Sequence, residues 1–447
     1  LKPYDVRPYI PASQGASEAR SAAPAGQEVT AWLEVPPGEG RITVTVSPGL
    51  EEVRVSRLDF WWQAGRREEI DALFPVRVAA GMGDVLEGER LFPEPEGGFE
   101  AAAEPLRVMV RGRLLPVERG RGRPRHGAGN GASTAGMRPH RLRGTVRVTI
   151  RVFREGRLMA AIPWRITVAP PLPPPSRLVG AYYFERDPSR WASDLRDLAD
   201  HGVTAVTCPA RDGAGWTRFQ EEASRAGLDG RWALHPEAVP EGEAAWGYAA
   251  DEPATVQAIG RARARALAAK GRGLKPWAAL AWPNSLGLTS VLDGVAVPPN
   301  LAGQARTLAS AHRWVYVQGL RENPFYNRVW AGLLARAPGV DGLWVFCYAP
   351  AGDGPADDWA GPMIRYDALV DPEREGGRLD TVQFEALRAG IVDGRLVDAL
   401  GPARAKPVLV RFPGALEALK GEYWRARDRG WSFPELRQAL VAAWARP

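Results

Sequence analysis

The spacing of apolar residues changes once along the chain, and this change limits the folds that the chain can adopt. The change occurs at Pro170-Pro171-Leu172-Pro173-Pro174-Pro175. A run of prolines is a stiff, extended spacer because each ring fixes its own φ angle. Before it, apolar residues recur at every second position; after it, short apolar runs alternate with helical spacings. We therefore expect a first domain over 1–170, a linker over 171–177 and a second domain over 178–447.

The segments before the linker follow the period of a β-strand. They cover 42–46, 53–62, 106–110 and 146–152, and a turn at Glu155-Gly156 leads into a return strand over about 158–168. Strict alternation buries one face of a strand, and no long helical segment interrupts the series. The pattern predicts an antiparallel β-sandwich.

A Gly/Arg-rich insertion near 117–143 separates two of these predicted strands and contributes much of the formal net charge of +6. Nearly all cations of the chain are Arg, and they are not arranged as a helical stripe. A mobile surface loop is the plainer interpretation, and an arm that binds a polyanion is the alternative. We expect no nucleic-acid partner.

Strands and helices alternate after the linker. The eight predicted strands are 178–184, 203–207, 231–234, 245–250, 276–282, 294–297, 314–317 and 342–347. Helices between them are indicated by spacings such as Trp191, Leu195 and Leu198, and two closing helices are predicted over 381–400 and 433–444. This order predicts a multi-domain chain in which the sandwich is followed by a (β/α)8 TIM-like barrel.

Functional side chains of such a barrel lie where its strands end. The strand ends carry aromatic rings, amides and carboxylates, a mixture that can stack on sugar rings and bind hydroxyl groups. The predicted catalytic residues are Asp251 and Glu252. The predicted substrate-binding residues are Tyr182, Trp282, Asn284, Tyr316, Gln318, Trp344 and Tyr348. The 17 Trp of the chain suit either sugar stacking or a large core.

Asp251-Glu252-Pro253 follows the fourth predicted barrel strand and has two interpretations. In the structural one, Glu252 caps a helix and Pro253 occupies its first turn. In the catalytic one, the adjacent carboxylates leave the strand at the barrel mouth, where one of them protonates a glycosidic oxygen. The position after strand four favours the catalytic interpretation.

These features together resemble glycoside hydrolase family 123 and its uncharacterised relatives. The resemblance depends on the order of sandwich and barrel, the Asp251-Glu252 pair, and the segment 341–348 followed by Asp358-Trp359. It also depends on 384–393, which is similar to the family pattern E-x-L-R-x-G-I-x-D. It covers the barrel well and the sandwich loosely.

The resemblance implies substrate-assisted, retaining hydrolysis of β-linked N-acetylhexosaminides, of the N-acetylgalactosamine type. It implies that Glu252 is the general acid/base and that Asp251 holds the 2-acetamido group. It also implies a tyrosine on the acetamide oxygen, for which Tyr316 and Tyr348 are the candidates. The sugar's own amide oxygen would then replace an enzyme nucleophile.

Two alternatives stay open from the residues. Glu322, after the seventh strand, could be the nucleophile of a conventional retaining glycosidase with Glu252 as acid/base. The chain could also be a carbohydrate-binding barrel without turnover.

The sequence predicts no cofactor and no metal site, since no dinucleotide, P-loop or paired His or Cys motif occurs. Cys208 and Cys347 are expected to be buried thiols. No apolar stretch approaches the length of a membrane span, which predicts a soluble protein, secreted or cytoplasmic. The sequence does not indicate which oligomeric state the protein adopts.

Overall fold

The computed structural model describes residues 9–11, 18–48, 50–64, 85–93, 99–100, 106–114, 144–318, 324–348, 370–372, 378–380, 382–421 and 432–446. The Gly/Arg-rich insertion, Glu322 and the segment 349–369 lie outside these residues.

In the described part of the chain, ten strands precede the proline-rich segment 170–175. They are β1 (Tyr9–Pro11), β2 (Ala19–Pro24), β3 (Glu28–Val35), β4 (Arg41–Val46), β5 (Glu51–Ala64), β6 (Val85–Pro93), β7 (Phe99–Glu100), β8 (Leu106–Arg113), β9 (Gly144–Arg154) and β10 (Arg157–Ala169). They form two five-stranded sheets, in the orders β1-β3-β8-β5-β6 and β2-β10-β9-β4-β7. Most pairs are antiparallel; β1 with β3 and β2 with β10 are parallel.

The two sheets enclose one apolar core, which confirms the predicted sandwich. Alternate residues of β3, β8, β9 and β10 point into this core, among them Leu33, Val110, Ile150 and Ile166, all fully buried. Each such side chain contributes about 1.5–3 kcal/mol through removal of apolar surface from water. β3 has the same alternation as the predicted strands, with Val29, Ala31, Leu33 and Val35 buried, although it was not predicted.

Eight parallel strands form a closed barrel after the proline-rich segment, as predicted. They are β11 (Leu178–Ala181), β12 (Ala205–Cys208), β13 (Asp229–Ala233), β14 (Trp246–Asp251), β15 (Lys275–Ala279), β16 (Gly294–Val297), β17 (His312–Gln318) and β18 (Gly342–Phe346). Closure occurs between β11 and β18, where Val179 is in register with Leu343. The weakly patterned strands β13 and β16 are therefore genuine members of the barrel.

The connections between barrel strands are only partly α-helical. The α-helices are α1 (Trp191–Asp200), α2 (Gly213–Ala226), α3 (Val256–Gly271) and α4 (Pro324–Gly332). Short 3₁₀ helices follow β13, β15, β16 and α4, at Pro236–Ala238, Pro283–Ser290, Pro299–Thr307 and Leu334–Arg336. Proline occupies the first position of three of these 3₁₀ helices, where its missing N–H costs nothing.

Tryptophan side chains fill the interior of the barrel. Five strands contribute them, as Trp232, Trp246, Trp277, Trp314 and Trp344. Trp232 stacks on Trp246 with ring centroids 4.6 Å apart, and Trp277 stacks on Trp344 at 4.7 Å. Small residues make room for them, because a Cβ added to Gly180 would lie 2.4 Å from the Trp344 ring. Much of the tryptophan content therefore serves the core.

Within the described residues, three helices follow the barrel, α5 (Val382–Leu409), α6 (Pro413–Leu419) and α7 (Phe433–Ala445), after a short hairpin of β19 (Val370–Pro372) and β20 (Arg378–Asp380). α5 is broken at Gly401, whose φ of 67° suits only glycine. α7 packs against β2 and β10 as well as α5, so these helices join the barrel to the sandwich.

Candidate active site

The fourth barrel strand is irregular just before its two carboxylates. The register of β14 against β15 shifts between Tyr248 and Ala250, which marks a β-bulge. Tyr248 belongs with the interior aromatic residues, whereas Ala249 and Ala250 both pack toward α3. In an unbroken strand Tyr248 and Asp251 would point to opposite faces, because their separation is odd. The bulge brings Asp251 back to the interior side.

Glu252 has a backbone conformation that is unusual for its residue type. Its φ is +40°, a left-handed value that side chains other than glycine rarely adopt. The amide of Glu252 still donates to the Ala279 carbonyl at 3.0 Å, so the strand pairing continues through this turn. Strained backbone of this kind clusters at functional sites, where the surrounding structure holds it.

The structural interpretation of Asp251-Glu252-Pro253 as a helix start is wrong. α3 begins at Val256, and its N-cap is Thr255, whose hydroxyl accepts a hydrogen bond from the Ala258 amide at 3.1 Å. Both carboxylates are exposed at the strand end rather than used by the helix. They are therefore open to a ligand.

A different tyrosine holds each carboxylate. The Tyr248 hydroxyl donates to Asp251 Oδ1 at 2.7 Å. The Tyr316 hydroxyl, from β17 across the barrel, donates to Glu252 Oε1. Since Tyr248 and Tyr316 both belong to the interior aromatic layer, the two adjacent acids converge on the same end of the barrel. Each carboxyl group is therefore held in place by a hydrogen bond from a tyrosine hydroxyl.

The tyrosines beneath the acids stay protonated well into the alkaline range. Burial raises the pKa of Tyr182, and the charges of Asp251 and Glu252 raise it further. Burial also raises the pKa of Tyr316, and the hydrogen bond of Tyr316 to Glu252 raises that pKa further. Tyr182 thus lies within the electrostatic reach of both carboxylates. The layer can donate hydrogen bonds to them but cannot take up their protons.

Two predicted substrate-binding residues lie on the exposed rim after β15. Trp282 is 48% exposed, a large value for tryptophan. Asn284 is exposed and donates from Nδ2 to the carbonyl of Ala254, two residues beyond Glu252. This bond ties the loop after β15 to the loop that carries the acids.

Two other predicted substrate-binding residues are closed to a ligand in this structure. Trp344 is fully buried in the barrel interior against Trp277. Tyr348 is 1% exposed and lies between the barrel and the helices, where its hydroxyl donates to Asp197 Oδ2 at 2.7 Å. Both residues were predicted from their position at the eighth barrel strand, but packing buries their rings and keeps a ligand away.

The remaining candidates are placed as follows. Tyr182 is buried in the aromatic layer below the acids, at ring-centroid distances of 6.0 Å from Tyr248 and 5.7 Å from Phe346. Gln318 is the last residue of β17.

Tyr248 was missed by the sequence reasoning. The period of a strand places it on the face opposite to Asp251, and only the register shift overrides this. An aromatic residue three positions before an acid is no signal of a bulge.

No group of three or more His, Cys, Asp or Glu within the described ranges is placed to hold a metal ion. None of the helices in the described part of the chain has the length and apolar character that crossing a bilayer requires.

Comparison with known proteins gives only distant similarity. No protein-family model and no curated protein matches the chain. Among solved structures, a family 39 glycoside hydrolase from Bacteroides cellulosilyticus WH2 is similar at 11% identity and a TM-score of 0.30, over 84% of this chain and 81% of that one. A putative glycoside hydrolase from Bacteroides vulgatus ATCC 8482 is similar at 9% identity and a TM-score of 0.26, over 75% and 74%.

A β-glucuronidase from Ruminococcus gnavus, in complex with D-glucuronic acid, is similar at 8% identity and a TM-score of 0.33, over 81% of this chain and 68% of that one. At TM-scores of this size the three structures carry no argument about the chemistry of this chain.

Proposed function

We propose that the protein is a glycoside hydrolase that acts on β-linked N-acetylhexosaminides by a substrate-assisted, retaining mechanism. One observation carries the proposal. Two adjacent carboxylates lie exposed at the end of barrel strand β14, and a separate tyrosine holds each of them, Tyr248 on Asp251 and Tyr316 on Glu252. Neither acid has a cationic partner among the described residues, so the tyrosine bonds are the contacts that orient them.

Glu252 is the general acid/base of the proposed reaction. Tyr316 occupies its Oε1, so we assign Oε2 to proton transfer. The acid protonates the glycosidic oxygen while the bond from that oxygen to the anomeric carbon breaks. In the second half of the reaction it removes a proton from the attacking water.

Asp251 orients the substrate's acetamide group. The amide oxygen of the sugar attacks the anomeric carbon and forms a cyclic oxazolinium, and water later opens this ring with net retention. A carboxylate that accepts the amide N–H stabilises the positive charge that develops on the ring. The bond from Tyr248 fixes the angle of Asp251 for this task.

The exposed ring of Trp282 is the proposed stacking surface for a sugar, and Asn284 lies beside it on the same loop. Tyr182 and Tyr316 form the polar floor under the acids. Trp344 and Tyr348 are left out of the proposed site because both are buried elsewhere.

A panel of aryl β-glycosides with and without a 2-acetamido group tests the proposal. We expect cleavage only of the 2-acetamido compounds and inhibition by a thiazoline mimic of the oxazolinium. Glu252→Gln and Asp251→Asn should each lower kcat by about 10²-fold or more. Glu237→Gln is the matched control, since Glu237 is an exposed acid in the loop after β13.

Equal cleavage of the plain hexosides would overturn substrate assistance and favour a retaining enzyme with Glu322 as nucleophile. Full activity of Glu252→Gln would overturn the assignment of the acid. If no glycoside is cleaved but sugars bind, the protein is a carbohydrate-binding barrel without turnover.

A further inference from the structure

A second pocket lies between the sandwich and the C-terminal helices, and the proposed reaction does not use it. It has a volume of about 390 Å³ and is walled by strands β2 and β3 and by helices α5 and α7. We call it the sandwich–helix pocket. Its apolar walls include Trp32, Ala386, Ala389, Val392 and Pro434. This volume lies at the lower end of the range for small-molecule sites, about 300–1,000 Å³.

The side-chain periodicities of β3 and α5 place several of their polar residues on the walls of the pocket. Glu28, Thr30 and Trp32 alternate on the face of β3 that points away from the sandwich core. Glu385 and Arg388 lie one turn apart on the facing side of α5. Arg388 Nη2 approaches Thr30 Oγ1 at 3.4 Å and connects the two faces. These two α5 residues belong to the segment 384–393 that the sequence singled out.

The acids that line the pocket are already neutralised by neighbouring cations. Arg388 pairs with Glu28 and donates from Nε to Glu385 at 2.9 Å, and Arg111 also pairs with Glu385. Glu18 has two partners, Arg20 at 3.0 Å and Arg165 at 2.9 Å. None of these carboxylates leaves an excess of negative charge to repel an anion.

Positive charge is in excess at one end of the pocket. Arg328 and Arg437 both line it, and both form ion pairs with the same carboxylate, Asp393, which is 1% exposed. Two guanidinium groups on one carboxylate leave about one unit of positive charge uncompensated. Phe433 stabilises this charge, since the Arg328 guanidinium lies 4.4 Å from its ring centroid.

Hydrogen-bond donors remain at the same place. Arg328 contacts Asp393 through Nε, and neither of its terminal nitrogens donates to another described residue. Arg437 uses Nε for Asp393 and Nη2 for the carbonyl of Ala389, at 2.6 Å. Guanidinium groups with free N–H donors bind carboxylate and phosphate oxygens in pairs.

We infer that the sandwich–helix pocket binds the carboxylate or phosphate of a small ligand of about monosaccharide size through Arg328 and Arg437. The oxyanion supplies a second negative charge for the two arginines, since Asp393 supplies only one. The rest of the ligand lies against Trp32 and the alanines of α5. This site is independent of the acids at the barrel mouth.

Calorimetric titration of the full chain tests the inference with four probes: glucuronate, glucose 6-phosphate, inorganic phosphate and neutral glucose. We expect at least one oxyanion to bind with a Kd of about 1 mM or tighter, and glucose not to bind at this pocket. Binding of both sugar acids supports an organic ligand. Binding of inorganic phosphate without binding of either sugar acid would overturn the inferred size of the ligand.

Two variants link the binding to the pocket. Arg437→Gln leaves a balanced Arg328–Asp393 pair and should weaken binding at least about tenfold. Ala386→Phe fills the pocket without a change of charge and should abolish binding, so it decides the question if Arg437→Gln does not fold. Arg225→Gln, at an exposed pair on α2, and Glu252→Gln at the barrel mouth are the controls and should bind normally.

The inference is overturned if none of the oxyanions gives saturable binding, or if they bind equally well to the Ala386→Phe protein. Glucose binding that is as tight as that of glucuronate and that Ala386→Phe abolishes would also overturn it, because charge would then have no role. None of these results bears on the proposed hydrolase activity, which the aryl glycosides test separately.

Discussion

Tyr248 and Asp251 are joined by a hydrogen bond of 2.7 Å although they lie three positions apart on one strand. The β-bulge between Tyr248 and Ala250 makes this possible, since it rotates the end of β14 by one position. The left-handed turn at Glu252 follows at once and sends the second acid toward Tyr316. Two local irregularities therefore place adjacent acids on one side of a strand.

The bond from Tyr248 predicts a positioning role. Tyr248→Phe keeps the ring in the aromatic layer and removes only the hydroxyl, so Asp251 loses its fixed angle. We expect kcat on the 2-acetamido substrates to fall about tenfold or more, with KM changed less, because orientation matters most in the transition state. The measurement is a steady-state comparison of kcat and KM. Unchanged kcat would show that Asp251 needs no such support.

The two tryptophans Trp282 and Trp344 should respond differently to truncation. Trp282→Ala removes an exposed ring, so KM should rise while the melting temperature stays nearly unchanged. Trp344→Ala opens a cavity in the barrel and should lower the free energy of unfolding by about 3–5 kcal/mol. Thermal melts and KM values for the pair check this. A normal KM in Trp282→Ala would remove that ring from the proposed site.

Buried tyrosines predict a loss of stability in alkali. The pKa values of Tyr182 and Tyr316 are raised in the folded protein, mainly by burial, above the ordinary value of 10.0. Above that pH the unfolded chain releases these protons and the folded protein keeps them. The contribution of these tyrosines to the free energy of unfolding is therefore fully present below about pH 10. It falls as the pH rises, by about 1.4 kcal/mol per tyrosine at about pH 11.

Tyr182→Phe removes the contribution of one tyrosine to this loss of stability at high pH. Urea unfolding at about pH 9 and about pH 11 should show a drop that is smaller by about 1.4 kcal/mol in this variant than in the parent. An identical drop in both proteins would mean that Tyr182 ionises normally in the folded state.

The ion network of Glu385 predicts a loss of stability in acid. Burial opposes its ionisation, but the charges of Arg111 and Arg388 outweigh burial and hold the pKa of Glu385 well below the ordinary 4.5. The contribution of Glu385 is therefore present above about pH 4.5 and is lost as the pH falls through its folded value. Urea unfolding between neutral and acidic pH should show this decline.

Glu385→Gln should lower the free energy of unfolding by about 3–5 kcal/mol at neutral pH, because the buried cations Arg111 and Arg388 must then share the carboxylate of Glu28. Glu221→Gln is the control, since its pair with Arg225 is 59% exposed on the Glu side, and it should cost less than about 1 kcal/mol. Equal effects of the two substitutions would contradict a structural role for this network.

The segment 384–393 illustrates how much a sequence motif indicates before the fold is known. Its residues were singled out by resemblance alone. The structure gives them a physical role, since Glu385 and Arg388 pair with the sandwich and Asp393 holds Arg328 and Arg437. Gly390 is needed because an added Cβ would lie 2.4 Å from the Arg328 carbonyl oxygen. The proposed catalytic chemistry uses none of them.

The sequence by itself determined the sandwich, the eight barrel strands and the position of Asp251 and Glu252 at the end of β14, because period-two and helical spacings report local burial directly. It could not show that Trp344 and Tyr348 are buried, that Tyr248 contacts Asp251 or that Tyr316 contacts Glu252. Those relationships arise between strands or from a bulge and one left-handed residue. Only the tertiary structure decides them, since packing across the barrel overrides the alternation that a single strand predicts.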